Sequence, residues 1–470
     1  MFVGRKPELE FLKDRYASNK AELIVIYGRR RVGKTELLRH FCKDKQHVYH
    51  ACNDVTNLKQ LEDYSKRILN MGIPSTRYLT KLENWEDAFS IINELPFGAD
   101  KKIVVIDEFP YMCKANPSIP SILQNLWDEQ LKHQNIMLIL SGSAISFIEK
   151  ELLSSENPLY GRATGIYKIK ELPFHDATHF FKDYNDENKI IANAVLGGIP
   201  HYLSQFDHKN SLKYNIIKYI LTAGAALNSE VEFFLRQELR EPAMYNTIVE
   251  AIALGNTKLN DIYNKTGSDK NQLSVYLKNL INLDIVEREF PITATTKDRA
   301  TSTKGLYRIK DNFFRFWYHF AFPNISDIEA GDVHALYDEI IEPELNNFSS
   351  LAFESVCREY LRQLSNHQYF DFKVNKIGRW WGKISGVETE IDIVAYDRTE
   401  QHYILGECKF KNTKMNVADA AALKSKSGFI KTNAQITYTL FSKSGFTDEL
   451  IQWSNADPSL HLIPLKDIVA

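Results

Sequence analysis

The segment Gly28-Arg29-Arg30-Arg31-Val32-Gly33-Lys34-Thr35 satisfies G-x-x-x-x-G-K-[ST], and it stands between an apolar run and a helical segment. Glycines there let backbone N–H groups curl around phosphate oxygens at a helix N-terminus. Lys34 would reach the β and γ phosphates of ATP, and the Thr35 hydroxyl would ligate Mg²⁺. Further on, Ile103-Val104-Val105-Ile106 delivers Asp107 and Glu108 to the end of a buried strand, the edge at which open parallel sheets bind ligands. Asp107 suits the magnesium shell and Glu108 the polarisation of an attacking water; a helix N-cap is the competing role for either. Ser141 and Ser143 follow the next apolar run and are candidates to sense the γ phosphate or the water. Arg162, in Leu159-Tyr160-Gly161-Arg162, is a candidate to stabilise transition-state charge. Turn residues and a surface ion pair compete for these three. Arg29 to Arg31 either add positive field near the phosphates or form a solvated loop face.

A second group lies far along the chain: Glu354 in a helical segment near 350–364, Asp392 in Glu390-Ile391-Asp392-Ile393-Val394, and Glu407-Cys408-Lys409. In a strand, positions 407 and 409 share one face and Cys408 takes the other, so Glu407 and Lys409 can converge with Asp392 from a neighbouring strand. Two such carboxylates would hold a second Mg²⁺, or Mn²⁺, over a scissile phosphate, with Lys409 orienting a water. Charges that merely alternate on a solvated strand face are the competing reading.

Several elements must position these residues. Runs at 23–27, 103–106 and 136–140, with weaker ones at 47–51 and 166–169, read as strands buried on both faces of a parallel sheet. Helical segments near 34–42, 56–70 and 85–95 alternate with them, predicting a three-layer α/β domain. From about 175 to 345 helical patterns dominate. Segments 244–254, 258–265 and 269–281, the last with Ser268 as N-cap, predict a helix-turn-helix. Strands at 285–290 and 306–309 flank a polar loop carrying Lys297, Arg299 and Lys304, as a wing would. Lys270, Asn271, Gln272, Ser274 and Lys278 would face a DNA major groove; a packing or partner surface is the other use of such a module. Phe313, Phe314, Phe316, Trp317, Tyr318 and Phe320 read as core rather than as a base-stacking platform. Strands near 391–396, 403–409 and 435–441 mark a separate C-terminal α/β unit, before which Trp380 and Trp381 would either stack on bases or enter the core.

Composition limits the alternatives. With 58 Lys+Arg against 60 Asp+Glu, any basic face is local rather than global. Five scattered cysteines without metal-type pairs read as reduced and mostly buried. The N-terminus has charges where a signal peptide needs an apolar core, and no stretch reaches the ~20 apolar residues that span a bilayer. A cytoplasmic protein without membrane contact is expected.

Phe2-Val3-Gly4-Arg5 with Glu8-Leu9, the Tyr27 to Thr35 loop, Asp107-Glu108-Phe109-Pro110, Leu159-Tyr160-Gly161-Arg162, Leu172-Pro173-Phe174 and Gly197-Gly198-Ile199-Pro200 together resemble the archaeal-type ATPase family of the AAA+/STAND branch. The resemblance spans most of 1–205. It implies that Gly4 and Arg5 lie near the adenine and that Pro200, in a helical lid, packs against the base. The stretch from Gly378-Arg379-Trp380-Trp381-Gly382-Lys383 through Lys409 resembles the C-terminal domain that accompanies this family, and its carboxylates resemble the PD-(D/E)XK nuclease-like fold, although Ile391 rather than Pro precedes Asp392. The fold class expected is α/β: a P-loop ATPase with parallel sheet (1–175), helical lid (176–240), winged helix (241–312), helical connector (313–345) and restriction-endonuclease-like α/β domain (346–470). Expected partners are ATP and double-stranded DNA. A nucleotide-controlled switch, acting by self-association or on a protein partner with an inactive nuclease fold, is the alternative.

Overall fold

The structure, a computed structural model, describes residues 2–470 apart from 153, 156, 302–304 and 431–432. It divides into two compact units, Met1–Leu172 with Ile199–His201, and Pro173–Gly198 with Tyr202–Ala470. No helix among the described residues is long and apolar enough to cross a membrane.

The first unit is built on five strands: β1 (Glu22–Tyr27), β2 (His47–Ala51), β3 (Lys102–Asp107), β4 (Ile136–Gly142) and β5 (Gly165–Lys168). They lie in the order β2-β3-β4-β1-β5, and every neighbouring pair is parallel. All residues of β1 and β4 are buried, which is why those strands read as unbroken apolar runs rather than as alternating ones. The order matters for chemistry, because β4 stands between β1, which leads into Gly28, and β3, which ends at Asp107. Helix Lys34–Cys42 starts after Gly33, whose φ of 91° ends the preceding loop in a left-handed turn. Helices Asn57–Leu69 and Trp85–Ser90 are capped by the Thr56 hydroxyl and the Asn84 amide oxygen. They bury Tyr64, Trp85 and Phe89 as one aromatic layer, with His50 of β2 edge-on to Tyr64 at 5.2 Å.

The second unit begins helical. Pro242–Ala253, Leu259–Thr266 and Lys270–Asn282 form the three expected helices, and Leu273, Leu277 and Leu280 of the third are buried. The cap of that helix is Asp269, not Ser268: the Asp269 carboxylate accepts from Asn271 N and Gln272 N, while Ser268 is buried with its hydroxyl on Thr266. A carboxylate also suits the positive end of the helix better than a hydroxyl does. β6 (Val286–Glu289) and β7 (Leu306–Ile309) pair antiparallel. The connection between them is not a plain loop. It carries a short helix, Thr296–Thr301, started by Asp298 accepting from both Thr295 N and its hydroxyl. Lys297 and Arg299 are exposed on it, and Lys304 lies outside the described residues. Phe313, Phe314, Phe316, Trp317, Tyr318 and Phe320 are all buried, as expected of core.

The C-terminal sheet is mixed, in the order β12-β11-β10-β9-β8. Its strands are β8 (Lys376–Ile384), β9 (Val387–Tyr396), β10 (His402–Lys409), β11 (Gln435–Ser442) and β12 (Leu460–Pro464). β8 and β12 were not expected. A register shift between Gly378 and Trp380 breaks the two-residue period of β8, and β12 is five residues long and ends in Pro464. The helix before the sheet runs Glu342–Asn366, well beyond the 350–364 read from its apolar spacing. The segment leaving β6 is built into this sheet: Ile292 N donates to Arg379 O at 2.8 Å, Tyr396 Oη donates to Ile292 O at 3.3 Å, and the Ile292 side chain joins the core that holds Trp380, Ile391 and Val394.

His50 offers a check on the first unit. Burial, and then the Arg67 charge, push its imidazole down to about 4 from an ordinary 6.5. A depressed folded value contributes stability that is present above 6.5 and lost as pH falls through about 4. Thermal melts across that window should show His50→Phe losing less stability than the wild type; equal losses would remove His50 as a source of acid sensitivity.

Candidate functional site

The loop between β1 and helix Lys34–Cys42 leaves no room for a side chain at Gly28 and requires a left-handed backbone at Gly33. A Cβ on Gly28 would come within 2.3 Å of Ile169 O, and Gly33 and Arg31 have φ of 91° and 70°. Arg29 is buried, Arg30 is half-buried with Nη2 on Tyr111 Oη at 3.1 Å, and Arg31 is exposed, so the triplet divides among three environments. Lys34 is buried, and its Nζ donates to Gly28 O at 2.9 Å and Arg29 O at 3.1 Å, which lays the ammonium across the loop. Arg5, itself left-handed after a left-handed Gly4, donates to Val32 O at 2.7 Å and Lys170 O at 2.8 Å, and pairs with Glu8. Its guanidinium therefore ties the N-terminal segment to the backbone of the loop. Pro200 stands beside Gly33, its Cγ 3.8 Å from where a Cβ would sit.

The ends of β3 and β4 complete the cluster. Asp107 Oδ2 accepts from Thr35 Oγ1 at 2.8 Å and from Tyr49 Oη at 2.6 Å. Burial, then the Asp107 charge, push the Tyr49 phenol up, so it remains a donor. Glu108 is left-handed (φ 53°), a conformation that costs a non-glycine residue about 1–3 kcal/mol where it lies outside the favoured wells. Its Oε2 accepts from Ser143 N at 3.1 Å and Ser143 Oγ at 2.8 Å. Ser141 is fully buried on β4, and its hydroxyl has no hydrogen-bond partner among the described residues. Arg162 is held elsewhere, by Asp128 at 2.7 Å and by Pro158 O at 2.8 Å.

These residues fit a magnesium-nucleotide. The loop is a cradle that a Cβ would fill, a cation lies across it, and a hydroxyl and a carboxylate meet within hydrogen-bond distance at its rim.

The C-terminal candidates are also brought together, in a different state. Asp392 Oδ2 accepts from Cys408 N at 2.9 Å. Glu407 accepts on Oε1 from Lys409 at 2.5 Å and on Oε2 from Lys426 at 2.9 Å. Burial pushes Glu407 up, but the two lysines outweigh it and hold the carboxyl below its ordinary range; Asp392 is raised by burial and by the Glu407 charge. Glu354 faces two guanidinium groups, Arg379 at 3.4 Å and Arg358 at 3.7 Å, and burial lifts it to about 7. Arg379 also pairs with Glu289 of β6 and Glu390 of β9. A divalent cation does not fit this set as it stands, because both Glu407 oxygens are engaged by ammonium groups and Glu354 is engaged by arginines. Among the described residues, no group of three or more His, Cys, Asp or Glu side chains is arranged to hold a metal. Trp380 is buried and stacks on Phe429 at 4.3 Å, whereas Trp381 is half-buried.

Comparison with known proteins agrees with the first unit. Residues 2–206 match an ATPase domain predominantly from Archaea, and 317–421 match a family described as archaeal and bacterial proteins of unknown function. An uncharacterized protein of Methanocaldococcus jannaschii is 37% identical over 415 residues, 88% of each chain. The chain belongs to this archaeal-type ATPase family. An uncharacterized ATP-binding protein of the same organism is 59% identical over 46 residues, 10% of this chain and 78% of that one. The Walker-type ATPase of Pyrococcus abyssi, a solved structure, shares the fold with a TM-score of 0.51 at 20% identity, covering 67% of this chain and 96% of that one.

Reading the ATPase from its sequence missed Tyr49, Arg379 and Lys426. Tyr49 had a signal, since alternation along β2 puts 47, 49 and 51 on one face; Lys426 had none, because it reaches Glu407 from a turn after a helix. Gly28→Ala should destabilise the protein by about 1–3 kcal/mol in denaturant unfolding, as overpacking does, and should weaken ATP binding; unchanged unfolding would mean that the loop can move away from Ile169.

Proposed function

We propose that this ATPase hydrolyses ATP at the β1–β3 edge and uses the cycle to control DNA held by its second unit. The observation that carries the first half is the meeting of Thr35, Asp107 and Glu108 at the rim of the loop. In this reading Lys34 holds the β and γ phosphates, and Thr35 and Asp107 hold Mg²⁺, which neutralises phosphate charge when bound. Glu108 orients the attacking water and accepts its proton as the water oxygen bonds to the γ phosphorus and the bond from that phosphorus to the bridging oxygen of the departing ADP breaks. Ser143 then positions Glu108 rather than touching phosphate. Arg162, paired with Asp128, supports a structural role within this chain in preference to one in charge stabilisation. Gly4, Arg5 and Pro200 act on the loop backbone around Val32 and Gly33, and through it on the nucleotide.

DNA contact is assigned to helix Lys270–Asn282, on which Lys270, Asn271, Gln272, Ser274 and Lys278 are all exposed opposite the buried leucines. The C-terminal domain is read as a nuclease-like fold that binds without cutting, and the observation favouring this over cleavage is the pair of lysines on Glu407. The expected outcome for ATP is that Lys34→Ala abolishes turnover while Glu108→Gln keeps nucleotide binding and loses roughly 10²-fold or more in kcat; full activity in Glu108→Gln would move the base elsewhere. For DNA, Lys270→Glu with Lys278→Glu should weaken duplex binding and flatten its salt dependence. Duplex incubated with Mn²⁺ should stay equally intact with wild type and with Asp392→Ala; cleavage that depends on Asp392 would restore the nuclease reading.

A further inference from the structure

Glu407 and Lys409 belong to one strand, but Lys426 does not, and its position is built rather than incidental. Helix Val417–Ser425 opens with a capping box in which Asn416 and Asp419 satisfy each other's ends. The turn Lys426–Phe429 that follows is held against β8 at two points. Phe429 stacks on Trp380 at 4.3 Å and 23°, and Gly428 lies so close to β8 that a Cβ there would meet Ile384 at 3.0 Å. With its backbone fixed in this way, Lys426 extends to Glu407 Oε2 at 2.9 Å, with its side chain 24% exposed.

The charge count follows. Asp392 and Glu407 supply two negative charges, and Lys409 and Lys426 supply two positive ones. A carboxylate pair with a single lysine would keep a net negative charge to attract a divalent cation. Here Lys426 offsets that field within the set, to which Arg379 adds positive charge beside Asp392 and Asp419 negative charge beside Lys409, and a cation at the ordinary oxygen distance of about 2.1 Å would sit within a few ångströms of both ammonium groups.

We propose that Lys426 is a resident counter-ion of the Asp392–Glu407 pair, taking the electrostatic place that a divalent cation would fill. The pair is therefore neutralised without metal, and the ion enters only when Lys426 is removed or withdrawn. This rests on the reading of the C-terminal domain as a nuclease-like carboxylate site.

The test is Mn²⁺ binding to the full chain, followed by electron paramagnetic resonance without nucleotide, in an Asp107→Asn background that removes the loop-side carboxylate. With Lys426 present, no saturable Asp392-dependent Mn²⁺ binding is expected in the micromolar range. Lys426→Met, and separately Lys426→Gln, should create a site at least tenfold tighter that disappears on adding Asp392→Ala, while Lys426→Arg should keep the site closed. Melting curves of each variant establish that it is folded. Micromolar, Asp392-dependent Mn²⁺ binding with Lys426 in place would overturn the proposal, as would no gain in either folded neutral variant. A gain that survives Asp392→Ala would instead overturn the underlying reading of the carboxylate pair. None of these outcomes depends on whether the protein cuts DNA.

Discussion

One carboxylate oxygen joins three elements of the first unit. Asp107 Oδ2 takes a hydroxyl from Thr35, on the helix after the loop, and another from Tyr49, on the edge strand β2. Because β4 separates β3 from β1, no backbone hydrogen bond links the strand that ends at Asp107 to the strand that leads into the loop. The side-chain bond to Thr35 spans that gap. A buried carboxylate is costly unless its acceptor sites are filled, so the two hydroxyls offset a desolvation penalty as well as fixing geometry. The helix after the loop, the end of β3 and the outermost strand are thus joined through a single group.

The second unit distributes its charges differently. Arg379 stands among Glu289, Glu354 and Glu390, which come from the β6–β7 hairpin, the long helix before the sheet, and β9. Glu390 is half exposed, but removing Arg379 or Glu354, the buried members, leaves a partner uncompensated, so the network specifies arrangement more than it adds stability. Glu354, read from the sequence as a catalytic carboxylate, is one corner of this network, which explains why it points to guanidinium groups rather than standing free beside Asp392.

Much of this was legible in the residues, and the parts that were not share a cause. The parallel sheet announced itself because strands buried on both faces have no polar alternation to confuse them, and the G-x-x-x-x-G-K-T spacing carried its own backbone requirement. β8 escaped because a bulge breaks its period, and the first residue of helix Lys270–Asn282 was misjudged because Ser268 and Asp269 are adjacent cap-formers and only packing chooses between them. Tyr49, Arg379 and Lys426 act across elements far apart in the chain. Local spacing holds no record of the partners of Arg379 and Lys426, and for Tyr49 it gives only the face and not the contact with Asp107.

Ile292 gives the chain a hereditary consequence. It follows β6 of the β6–β7 hairpin, yet its side chain is part of the interior of the C-terminal sheet and its backbone bonds to Arg379 and Tyr396. A C-terminal sheet cut out at the helix before it would carry an open apolar notch, and the three helices with their β6–β7 hairpin would expose the plug without that sheet. The two modules are therefore poor candidates for independent shuffling between proteins, and their natural unit of inheritance is the pair.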